Sequence, residues 1–178
     1  MKKILIIILS ILFLGLIIFY LNRNNKVEYF KQVDLTENNV VVNTTKQNYI
    51  DTVVSVGLDI IGVKDNYITI RDMPDEIKNS FNNQNNMDLT ASIIGANDQY
   101  IIYINDVDRT TAIKSLAHEL IHLKQYDSGR LRVIGSGVVI WDGKEMNVLD
   151  VLYNDRPWEK EAFQGQTDLE VKIKNILY

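Results

Sequence analysis

The 178-residue chain has no cysteine, only two prolines and only two histidines. The missing cysteines exclude disulfide staples, thiolate zinc clusters, a cysteine nucleophile and a lipidated cysteine anchor together. Their absence also suits an extracytoplasmic bacterial protein. No run of basic residues is present: the net charge is −4, and the lysines and arginines are scattered. A nucleic-acid partner is therefore not expected, because such proteins carry a basic face. With two histidines, any metal site has at most two imidazole ligands and must complete its set from carboxylates.

The chain does have one long hydrophobic run. Lys2 and Lys3 precede residues 4–21, whose only polar members are Ser10 and Tyr20. Eighteen helical residues span about 27 Å, near the thickness of a bilayer's hydrocarbon core. The run ends Phe19-Tyr20-Leu21-Asn22 without the small residues of a cleavage site, so an uncleaved signal anchor is expected over residues 1–21. The basic residues flanking it, Lys2 and Lys3 before and Arg23, Lys26 and Lys31 after, nearly balance. A short lysine tip ahead of a long body favours a single-pass protein with its body outside the cytoplasm, in a bacterial envelope.

Residues 22–47 are polar and mixed, with one β-like run at Val40, Val41 and Val42, and read as a tether. The remaining residues, 48–178, are enough for one domain with a core of its own. Apolar residues at Ile50, Val53, Val54, Leu58 and Ile61 fall at helical spacing. A short strand follows at residues 67–70, ended by Met73-Pro74, and residues 79–88 read as a loop. Residues 89–94 and 100–105 are β-branched and aromatic around Gly95-Ala96-Asn97-Asp98, a hairpin signal. Asp106 or Asp108 offers an N-cap for a helix running through Tyr126 to a stop near Gly129. Residues 130–141 form a second β region broken by Gly135 and Gly137, and a closing helix starts at Pro157 and runs towards Leu177. The expected class is α+β: a small sheet, a central helix and a C-terminal helix behind the anchor.

Both histidines lie on the central helix, in His118-Glu119-Leu120-Ile121-His122. Residues four apart on a helix stand one above the other, so both imidazoles can meet one metal ion. Glu119 is turned about 100° from His118, free to act on a water beside the ion rather than bind the ion. For this composition, chance gives the arrangement roughly once in two thousand chains, well below the background of most short motifs. Position 125 is Gln and position 128 is Ser, so the longer three-histidine motif is excluded. A zinc site that keeps a place for water needs a third protein ligand, and here it must be a carboxylate. The segment Arg156-Pro157-Trp158-Glu159-Lys160-Glu161-Ala162 supplies two glutamates early on the closing helix. They flank the apolar stripe of Trp158, Ala162, Leu169, Ile173 and Ile176 on opposite sides. Being two apart, they cannot both face one ion, and their spacing does not choose between them.

On these residues the chain resembles the zincin metallopeptidases with two histidines and a distal glutamate, the gluzincin group. In that group the ligand glutamate commonly precedes alanine, which implies Glu161, before Ala162, as the third ligand. The resemblance implies zinc held by His118, His122 and Glu161, with Glu119 as general base for hydrolysis of a peptide or protein substrate. It also implies that the strand before the motif helix, residues 100–105, borders the cleft and pairs with extended peptide. Gln125, one turn beyond His122, is a candidate hydrogen-bond partner for a ligand. Tyr126, Tyr153 and Arg156 are candidates for stabilising an oxyanion. Asp127, Asp142, Asp150 and Asp155 rank below Glu161 as ligands, and Trp141 and Trp158 as core. Two other functions are compatible with the motif: a zinc-binding structural or interaction module of an envelope or phage-derived assembly, and a zinc amidase acting on cell-wall peptide.

Overall fold

The computed structural model describes residues 39–44, 49–85, 88–96, 98–135 and 137–178. The expected anchor at residues 4–21 lies outside them. Among the described residues no helix is long and apolar enough to cross a membrane.

Strand β1 (Asn39–Asn43) crosses through helix α1 (Ile50–Ile61) to β2 (Tyr67–Asp72), which pairs with it in parallel. Helix α2 (Asp75–Asn85) leads to the β3 (Ala91–Ala96) and β4 (Gln99–Ile104) hairpin, and β4 inserts parallel to β2. The sheet order is therefore β1-β2-β4-β3, with β3 antiparallel at one edge. Helix α3 (Arg109–Asp127) follows, then a three-stranded antiparallel sheet of β5 (Leu131–Gly135), β6 (Val138–Trp141) and β7 (Lys144–Asn147). A short 3-10 turn (Tyr153–Asp155) delivers the chain to helix α4 (Pro157–Leu177). Among the described residues the architecture is mixed α+β, with two small sheets and four α-helices.

Several elements follow directly from local chemistry. The Asp108 carboxylate accepts from the Thr110 and Thr111 backbone N–H groups at 2.9 and 3.1 Å, capping α3. Pro157 opens α4, where its missing N–H costs nothing. Gly62 closes α1 at φ 72°, and its N–H returns to the Leu58 and Asp59 carbonyls. The second sheet turns at Asp142-Gly143, both at positive φ (46° and 78°), which is the two-residue turn that matches strand twist. That dipeptide was the available signal for β7, which extends the β region beyond residue 141.

Three expectations need correcting. Residues 79–85 are helical, not loop: α2 starts after Pro74, whose carbonyl accepts from the Ile77 and Lys78 N–H groups. With Ile77 and Phe81 as its only large apolar residues, α2 shows little periodicity. Residues 39–43, read as part of the tether, form an edge strand of the main sheet. Ile176, read as part of the packed stripe of α4, is exposed.

The main core lies between the sheet and the three long helices. Ile68, Ile70, Ile102 and Ile104 meet Val53, Val54 and Leu58 of α1, Leu116 and Leu120 of α3, and Leu169 and Ile173 of α4. Gly57 makes the close approach of the helices possible: a Cβ there would collide with the Leu120 side chain and lie 3.3 Å from Ile173 Cδ1. A smaller cluster of Leu131, Val139, Trp141 and Trp158 seats the second sheet against the start of α4.

At an exposed helical site, replacing glycine by alanine gains about 0.5–1 kcal/mol. At position 57 the sign reverses. Gly57→Ala should destabilise the fold by about 1–3 kcal/mol through overpacking, read as a shift of the urea midpoint without a change in slope.

Candidate metal centre

The site is built where α3 crosses the first turns of α4. His118, Glu119 and His122 are all buried on α3, and Glu159 of α4 is buried opposite them. The His118 and His122 Nε2 atoms are 3.1 Å apart. Glu159 Oε2 lies 3.3 Å from the first and 3.2 Å from the second. These three residues form a group that can hold a metal ion.

Each imidazole has a further partner. Gln166 Oε1 lies 3.1 Å from His118 Nδ1, and Gln125 Oε1 lies 2.9 Å from His122 Nδ1. The Tyr153 side chain stands near the Glu159 carboxylate. When each imidazole donates its Nδ1–H to a glutamine oxygen, both Nε2 lone pairs point inward at a carboxylate oxygen. Three electron-pair donors then face one another at van der Waals distance or closer, which needs a positive charge among them. A metal ion supplies it, and so does a proton. Burial works to lower the His122 pKa, but the hydrogen bond and charge of Glu159 overcome it and push the value up to about 9. Burial likewise works to raise Glu159, yet the two imidazoles hold its carboxyl well below the usual range.

Glu119 does not join the three donors. Burial raises its pKa above the ordinary range despite both histidines. His118 and Glu119 face a cavity of about 280 Å³. Its rim includes Leu89, Thr90 and Ala91 at the entry to β3, and an aromatic wall of Phe81, Tyr153 and Phe163 closes one side. Burial and the Glu159 and Glu119 charges raise the Tyr153 pKa, so its hydroxyl stays a donor.

The structure groups Glu159, not the expected Glu161, with the two imidazoles. Glu161 is not among the three donors: Arg130 Nη1 and Nη2 donate to its two oxygens, each at 2.9 Å. Glu159 takes the place instead. Two positions on a helix separate side chains by about 200°, so the buried Trp158 and Ala162 can face α3 with only one of the two glutamates at the imidazoles. Glu159, Phe163 and Gln166 at i, i+4 and i+7 share one face of α4, and the contacts of all three with His118 show that this face is turned to the histidines. A glutamate–alanine pair carries no such information about direction.

Other expectations divide. Gln125 does support His122. Tyr153 lines the cavity, whereas Tyr126 packs on Tyr100, and Arg156 donates to the Val148 carbonyl and lies over the Tyr153 ring. Asp127 accepts from Asn66, while Asp142 and Asp155 pair with Arg130 and Lys160. Strand β4, expected to border the cleft, is paired on both sides, by β2 and β3. The edge beside α3 belongs to β3, because the hairpin places its first strand outermost. Trp141 and Trp158 are core, as expected.

No family model, no curated protein and no solved structure matches the chain.

Two outcomes follow for metal binding. Glu159→Ala should abolish stoichiometric uptake of a divalent ion at micromolar concentration, as should His118→Ala, whereas Glu161→Ala still takes up one ion, measured by elemental analysis. Below the raised His122 pKa the ion must displace a proton, so apparent affinity should fall about tenfold per pH unit as pH drops below it. Calorimetry in buffers of different ionisation enthalpy should detect about one proton released per ion at neutral pH.

Proposed function

We propose that the protein is a zinc metallopeptidase of the gluzincin type, with zinc held by His118, His122 and Glu159 and with Glu119 as general base. One observation carries this reading: three buried donors converge at 3.1–3.3 Å, and Glu119 lies beside them on an open cavity. In a tetrahedral site with zinc–ligand distances of about 2.0–2.1 Å, ligand atoms stand about 3.3–3.4 Å apart. The donor spacing fits that edge. Two imidazoles and one carboxylate also leave a fourth position for water or substrate, which a closed structural site would not.

Bound zinc would polarise the scissile carbonyl and lower the pKa of a water to about 7. With zinc held by His118, His122 and Glu159, the Glu119 carboxylate would accept a proton from a water there and would deliver it to the leaving amine. Its raised pKa suits the task, since a base works best with a pKa near the working pH. In keeping with the zincin resemblance, β3, an edge strand among the described residues, would align an extended peptide along the cavity by strand addition. The hydrophobic run at residues 4–21 supports a membrane tether for this activity, with the body outside the cytoplasm.

Glu119→Gln should fold, keep one zinc per chain and lose about 10²–10⁴-fold of its turnover on a fluorogenic peptide library. Native-rate cleavage by that variant would remove Glu119 from the mechanism.

A further inference from the structure

His122 has the longest chain of support among the three donors, and that chain ends on a charged residue outside the site. The Gln125 side chain is fixed at both ends. Its oxygen lies 2.9 Å from His122 Nδ1, and its nitrogen donates to the Trp158 carbonyl at 3.1 Å and to Glu161 Oε1 at 3.2 Å. A flipped amide would present N–H groups to Nδ1. His122 would then need its lone pair on Nδ1 and its proton on Nε2, the wrong arrangement for a ligand. The two acceptors at the Gln125 nitrogen oppose that flip. One is main chain, and the other is the Glu161 carboxylate.

Glu161 is itself held. Arg130 grips it through two bonds of 2.9 Å, and the same guanidinium bonds Asp142 at 2.7 and 3.1 Å and lies 4.6 Å from the centre of the Trp141 ring. Arg130 immediately precedes β5, and Asp142 sits in the β6–β7 turn, so the second sheet aims the clamp. The ion pair is about 40% exposed on both sides, a setting in which such pairs add little stability. Its geometry is better explained by direction than by energy.

We propose that Glu161, clamped by Arg130, is a positioning residue that locks the Gln125 amide and so keeps the His122 Nε2 lone pair aimed at the metal. The proposal rests on reading His118, His122 and Glu159 as a metal centre. It assigns Glu161 an effect on affinity that passes entirely through Gln125.

A double-mutant cycle on the full-length chain tests it, with Zn²⁺ affinity measured by competition against a chromophoric chelator. Glu161→Ala and Gln125→Ala should each weaken Zn²⁺ binding by fivefold or more, within the 10–100-fold range usual for residues that orient ligands. The double variant should bind within threefold of Gln125→Ala, because Glu161 has nothing left to orient. Glu161→Gln retains an oxygen that can accept from Gln125. It should recover most of the loss, and it serves as the test if the alanine variant fails to fold. The thermal midpoint, followed in parallel, should move far less than the affinity. A loss below fivefold for Glu161→Ala overturns the positioning role, as does a further tenfold loss in the Gln125→Ala background. A native chain that takes up no Zn²⁺ overturns the metal centre itself, a separate result from a native chain that binds while Glu161→Ala binds equally well.

Discussion

Three electron-pair donors are held within hydrogen-bonding distance of one another in a place almost closed to water. Left alone, two imidazole nitrogens and a carboxylate oxygen in that arrangement repel, and burial removes the solvent that would screen them. The α3–α4 crossing and the partners around the donors impose the arrangement. Gln166 and Gln125 each direct one imidazole donor inward. Such a cluster detracts from stability unless a cation joins it, which is the signature of a site kept for function.

The fold supplies the force. Helix α3 is buried on most of its circumference, by α1 and α4 and by the main sheet, so its rotation is fixed. His118 and His122 can then face only the start of α4. The contact between α1 and its neighbours is close because position 57 carries no side chain, and the same packing leaves Leu120 and Ile173 fully buried. At the other end of the crossing, the second sheet fixes the start of α4 through Trp141 and Trp158 and through Arg130. A sheet that contributes no donor atom thus controls where Glu159 stands and how Gln125 points.

Glu119 occupies the boundary between the rigid cluster and the open cavity. Strand β3 packs beside it and, among the described residues, is an edge strand, so its outer strand-pairing groups face the space where a substrate would lie. The aromatic wall of Phe81, Tyr153 and Phe163 is assembled from α2, the 3-10 turn and α4, three elements far apart in sequence.

Periodicity determined much of this by itself. The i, i+4 histidines had to share a face of α3, Asp106 or Asp108 had to cap that helix, Pro157 had to open α4, and the β3–β4 hairpin followed from its turn and its β-branched strands. Each is a local property, decided within a few residues. Other features belonged to tertiary structure. Helix α2 lacks an apolar stripe and so gave no periodic signal. Residues 39–43 became a strand only because β2 offered an edge to pair with. The choice between Glu159 and Glu161 depended on how α4 is rotated against α3 and on an arginine 31 residues before Glu161. Local spacing can say that two neighbouring glutamates point opposite ways, but the contacts that turn one of them towards the histidines come from distant parts of the chain.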